Sequence, residues 1–317
     1  MAARHNLTKL FILLAVVGTV AVLTVAVTSR SVSAQGSQSS ISISPLTFEL
    51  TSNPGDTISN VVKVFNNGDQ PMNVVMEIRD FTAAGEKGEV ALGTLENQSF
   101  SLVHWVKVEP QSFVLEPKSF KVVEYTVTVP PNAEPGGHYG TILASLTSSA
   151  SSTGAALAQK IGSLLLLQVS GQVKENLTIK SFKAPSFSEY GPVELDIRFE
   201  NKGSVHLKPR GFVTVKNIMG DEVARLDIPQ SNILPNSVRK LVMSLNQKWL
   251  WGRYDATLAA IYGTTNEPMS ETVSFWVFPW KVALGITIGA LLVLIILFRG
   301  RRRIKVALKV LVTGDHR

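Results

Sequence analysis

"VKVFNNGD", Val62 to Asp69, is a short run in which apolar residues alternate with polar ones before breaking on an Asn-Asn-Gly turn. Alternation with period two is the pattern of a half-buried antiparallel strand, and Asn and Gly adopt the backbone angles that a tight turn demands. The same construction returns as "IRFENKGS", Ile197 to Ser204. A second landmark, "LEPKSFKVVEYTV" (Leu115 to Val127), is echoed by "ILPNSVRKLVMSL" (Ile233 to Leu245). A third, "GHYGTILA" (Gly137 to Ala144), is echoed by "GRYDATLAA" (Gly252 to Ala260), pairing Gly137 with Gly252 and Tyr139 with Tyr254. Three landmarks in one order indicate a duplicated unit.

Working outward, "MNVVMEIRDF" and "FKVVEYTVTVP" are further strands, separated by turn clusters such as "NPGD" and "PPNAEPGG". No amphipathic helical pattern interrupts them. The fold class is therefore all-β, with two tandem immunoglobulin-like β-sandwich domains. The first copy is the longer, and its excess lies around Phe81 to Trp105. The serine-rich run "SSASSTGAALAQ" (Ser148 to Gln159) suits a mobile hairpin tip.

The formal net charge of +7 belongs to the ends, because Gln35 to Trp280 holds slightly more acidic than basic residues. A basic face for nucleic acid is thereby excluded. Arg4 and Lys9 precede the apolar run Leu10 to Val27, and Val32 and Ala34 are small residues before a cut at Gln35, as in a secretory signal. The length of that run also suits a retained anchor. Near the other end, Lys281 to Phe298 is apolar, with Trp276, Phe278 and Trp280 before it and Arg299, Arg301, Arg302 and Arg303 after it. This predicts a single C-terminal transmembrane helix in contact with the lipid bilayer, an extracellular ectodomain and a cytoplasmic tail. The expected organisation is a signal peptide or anchor at 1–34, Ig-like domains at 35–172 and 173–275, a membrane helix with an aromatic belt at 276–298, and a basic tail at 299–317. The absence of cysteine rules out disulfides, so each sandwich must stand on its apolar core.

Motifs for chemistry are missing. There is no Gly-x-Ser-x-Gly elbow, no His-Glu-x-x-His and no phosphate-cradling loop, and His104, His138 and His206 are far apart in the chain. No enzyme activity, cofactor or metal is expected, and a glycan-processing enzyme is disfavoured for want of an acid/base pair. His138 is replaced by Arg253 in the repeat, so it reads as an exposed residue without a role. Gly137 and Tyr139 read as structural, the tyrosine covering the sandwich end with its hydroxyl on a backbone acceptor. For ligand contact the candidates are Phe81, Phe100, His104 and Trp105, aromatics flanking or following the polar insertion "TAAGEKGEVALGTLENQS" and able to stack on a sugar. Trp105 also lies among Leu102, Val103 and Val106, which favours a place in the core.

"ISPLTFELTSNPGDTISNVVKVFNNGDQPMNVVMEIRDF", "HWVKVEPQSFVLEPKSF" and "VPPNAEPGGHYGTIL" resemble, in that order, the N-terminal peptidoglycan-binding domain of the bacterial WxL-interacting cell-surface proteins. The second copy, with "WGRYDATLAAIYG" and "FWVFPW", is similar to the membrane-proximal half of that family. The resemblance implies a membrane-anchored envelope protein that engages peptidoglycan or a surface protein. The alternative is an assembly factor like a periplasmic chaperone, pairing a sandwich edge strand with a secreted client.

Overall fold

The computed structural model describes residues 41–93, 100–146 and 159–313, with side chains through Phe298 except at residue 296. The expected signal segment, the serine-rich run up to residue 158 and the end of the insertion at 94–99 lie outside the described residues.

The chain forms two sandwiches. In the first, one sheet has the order β1 (Ile41–Ser44), β3 (Thr57–Asn66), β9 (Phe120–Thr128), β7 (Val106–Glu109). The facing sheet has the order β2 (Thr47–Ser52), β11 (Lys160–Val169), β10 (Gly136–Leu146), β4 (Met72–Arg79), β8 (Ser112–Leu115). Alternate residues Val62 and Val64 of β3 and Val123, Tyr125 and Val127 of β9 pack with Ile142, Leu165 and Leu167 of the opposite sheet, all buried. Burying such side chains, at roughly 1.5 to 3 kcal/mol each, is what holds a disulfide-free sandwich together. The second sandwich sets β12 (Leu177–Lys183), β14 (Val193–Asn201) and β17 (Ser237–Leu245) against a sheet ordered β13 (Phe187–Ser188), β19 (Glu267–Val277), β18 (Gly252–Tyr262), β15 (Arg210–Asn217), β16 (Glu222–Asp227). Its core runs through Leu195, Ile197, Phe199, Val213, Leu258 and Phe275. In both sandwiches the first strand crosses between sheets, and its second half pairs in parallel with the last strand, β2 with β11 and β13 with β19.

The opening landmark is a buried polar staple in both copies. Asn66 Nδ2 donates to the carbonyls of Gln70 (2.8 Å) and Leu115 (3.1 Å), and its Oδ1 accepts from Gly68 N (2.9 Å). Asn201 does the same with Val205 (2.8 Å), Ile233 (2.8 Å) and Gly203 N (2.9 Å). Leu115 and Ile233 open the second landmark in their respective copies, so one asparagine ties the first two landmarks together in each half. Only glycine fits at 203, where a Cβ would collide with the Lys174 carbonyl oxygen.

The third landmark departs from the expectation by one residue. In β18 the inward residues are Tyr254, Ala256, Leu258 and Ala260; in β10, Ile142 and Ala144 face the core. His138 shares their parity and therefore stands where Tyr254 stands, while Tyr139 points to the outer face, since a one-residue shift reverses every side chain. The geometry agrees. Tyr254 is hydrogen-bonded to the backbone of Trp251 (2.9 Å from N, 3.3 Å to O), and His138 Nε2 to the carbonyl of Glu134 (2.9 Å). His138 is thus a buried corner residue rather than an exposed one, and Tyr139 does not form a tyrosine corner.

After β19 the chain enters α1 (Trp280–Thr313), whose first turn is tied to the second sandwich by Lys281 and Glu189 at 2.7 Å. Here the structure corrects the sequence reading: among the described residues no helix is long and apolar enough to cross a membrane. The single-pass topology and the bilayer contact expected from the sequence therefore find no spanning helix among the described residues.

Candidate functional site at the junction of the sandwiches

The outer face of β10 and β11 is covered, not exposed. Tyr139 and Leu166 pack there with Phe81 of β5 (Phe81–Ala84), and Phe100, Leu164 and Leu234 close the cluster. Leu234 comes from the second sandwich, so the cluster is the apolar floor of a junction. Tyr139 reaches across it, its hydroxyl 3.4 Å from His206 Nδ1 and its ring edge-on to the imidazole at 5.8 Å. Burial raises the Tyr139 hydroxyl above the usual tyrosine range and pushes His206 below the usual histidine range, so both groups are neutral near pH 7.

Polar contacts frame this floor. Lys208 meets Glu49 of β2 at 2.7 Å, and Asn232 donates its amide to the same carboxylate at 2.7 Å. Those two hydrogen bonds, Lys208 first, hold Glu49 below the usual carboxylate range against a smaller opposing effect of burial. The insertion supplies the other side. Its hairpin, β5 with β6 (Glu89–Leu92), places Glu86 at its turn, where the carboxylate accepts from Arg198 Nε at 2.7 Å and the carbonyl accepts from Lys240 N at 2.7 Å. Gly137 N donates to the Ser204 carbonyl at 2.9 Å. The described part of the insertion is therefore a brace between the sandwiches.

The four candidate residues separate. Phe81 and Phe100 come together in the junction cluster, with Phe81 only 2% exposed. Trp105 is half-buried against the first core and packs on His138 in a tilted contact, ring centroids 4.3 Å apart and the planes 40° from parallel. His104 alone is exposed. Burial pushes the His138 imidazole down, so it is neutral against that indole. Among the described residues no group of three His, Cys, Asp or Glu is arranged to hold a metal. The residues that sequence reasoning passed over are Glu49, Glu86, Arg198, Lys208, Asn232 and Arg239. The partners in each bonded pair lie more than a hundred residues apart in the chain and carry no local motif.

A second feature is an incomplete edge. β10 pairs with β11 from Lys160 to Val169, but β2 covers the other edge of β11 only from Leu164 to Val169. Leu164 N donates to Leu46 O, on the β2 side, and Gln159 O accepts from Leu146 N, on the β10 side. By alternation, the backbone N–H and C=O of Lys160 and Gly162 point to the uncovered side. No strand is paired with them there among the described residues, although the link between β1 and β2 comes up to Ser163, whose hydroxyl donates to the Pro45 carbonyl at 2.7 Å.

No family model and no curated protein matches the chain. Among solved structures it is similar to the class 5 fimbriae chaperone CfaA, at 12% identity and a TM-score of 0.38 over 73% of this chain and 98% of that one. It is likewise similar to the YadV chaperone (13%, TM-score 0.37, 74% and 100%) and to the E. coli chaperone DraB (14%, TM-score 0.35, 75% and 96%). Likeness at this level assigns neither activity nor partner to this chain. The leading expectation, a membrane-anchored binder of wall glycan, is corrected: among the described residues no helix is long and apolar enough to cross a membrane.

Proposed function

We propose that this chain is a non-enzymatic assembly factor that holds an extended segment of a client protein, one bound for the cell surface, along the open edge of β11. The observation that carries the reading is the mismatch between β2 and β11, which leaves the outward backbone groups of Lys160 and Gly162 without a paired strand among the described residues. An open edge is a template for a further strand, with main-chain hydrogen bonds supplying affinity. Membership of the WxL-interacting family is part of the proposal, and a gene for a WxL-type protein beside that of this chain is the expected neighbour.

Lys160→Pro tests the edge. It removes an N–H that points away from β10 and leaves the β10–β11 ladder its own hydrogen bonds. A photo-reactive residue at position 160 of the intact chain should cross-link one client polypeptide, and Lys160→Pro should abolish co-purification of that client without lowering the melting temperature. Undiminished capture by the proline variant would refute the proposal.

A further inference from the structure

Between the sandwiches lies a cavity of about 340 Å³, within the range of small-molecule sites. Part of its wall is apolar, where Phe81, Leu164 and Leu166 meet Leu234 and Val238. The remainder is polar and unevenly satisfied. Neighbouring cations are matched: Lys208 to Glu49 at 2.7 Å, Arg198 to Glu86 at 2.7 Å and Lys240 to Asp196 at 2.6 Å. Arg239 is not. Its guanidinium lies against Gly88 so closely that a Cβ there would overlap it, its Nε is buried, and it has no hydrogen bond or ion pair among the described residues. Glu89 lines the same cavity without pairing with it. Asn232, spending its amide on Glu49, leaves Oδ1 buried and without a partner among the described residues.

An unpaired guanidinium at a cavity wall is costly unless something meets it. A guanidinium matches a carboxylate, and the apolar wall matches a hydrocarbon side chain. We infer that the cavity binds a small apolar carboxylate, the chemistry of an N-acylated leucine or phenylalanine. The carboxylate meets the Arg239 guanidinium, and the side chain rests on Phe81, Leu164 and Leu166. This inference stands apart from strand capture at β11, which uses backbone groups outside the cavity.

Calorimetric titration of the intact chain with N-acetyl-L-leucine tests it, with N-acetyl-L-leucinamide as the uncharged control. The acid should bind at millimolar concentration or better and the amide at least tenfold more weakly. Arg239→Gln should weaken the acid at least tenfold while leaving the melting temperature of the ligand-free chain unchanged, because an unpaired cation has been removed. Ala83→Trp, which fills the cavity from β5, should abolish binding. The inference is overturned if the acid does not bind, if acid and amide bind alike, or if Arg239→Gln binds as the parent does. It is equally overturned if Arg239→Gln melts several degrees lower, since the guanidinium would then be held by another part of the chain.

Discussion

Replacing Asn66 or Asn201 by alanine should destabilise its own sandwich by about 3 kcal/mol, at roughly 1 kcal/mol for each of three hydrogen bonds lost. The worked geometry is the same at both sites: two amide protons go to carbonyls 2.8 to 3.1 Å away and one oxygen accepts a glycine N–H at 2.9 Å. Both side chains are essentially inaccessible, at 1% and 0% exposure, so water cannot take over the freed groups without entering the core. Aspartate should cost at least as much as alanine at neutral pH, because it keeps the glycine contact but turns a buried carboxylate toward two carbonyl oxygens. Hydrogen exchange with mass spectrometry separates the two halves, since β3 and β9 report on Asn66 while β14 and β17 report on Asn201. The expected result is faster exchange confined to the mutated sandwich, similar in size in both variants. A loss below about 1 kcal/mol at either site, or an aspartate variant as stable as the parent, would refute the staple.

His138→Ala should cost about 2 kcal/mol in chemical denaturation, as for truncation of a buried ring, where an exposed residue would cost almost nothing. Stability should also fall on acidification. His138 and His206 both have folded pKa values lowered by burial, so below about 6.5 the unfolded chain takes up protons that the folded chain refuses. Stability is thus present above that pH and declines until the lowered folded values are reached; a melting temperature that is flat from pH 7.5 to 5.5 would contradict it. Glu49, lowered by its hydrogen bonds, adds a further loss as pH falls below the usual carboxylate range and through its own lowered value. Glu86→Ala should loosen the junction without unfolding either core, seen as faster cleavage near Ser170 to Asn176 in limited proteolysis and unchanged exchange in β3 and β14.

The Asn-x-Gly turn was legible because its work is local. The asparagine satisfies groups two and four residues onward, so the residues that need each other stand together in the sequence, and both copies show it. The strands of β3, β9 and β14 were legible for a related reason: one face is buried and the other wet, so the chain alternates. β10 was misread because Gly136 to Ser145 is buried on both faces, one against its own core and one under the junction. With no wet face there is no alternation to fix the phase, and a similarity of letters aligned Tyr139 with Tyr254 one residue out of step. The junction itself had no signature at all. Glu86 and Arg198 are 112 residues apart, and Glu49 and Asn232 are 183 apart. Each reads in the sequence as an ordinary surface residue, because a pair formed where two sandwiches pack on one another leaves no periodicity in either of them.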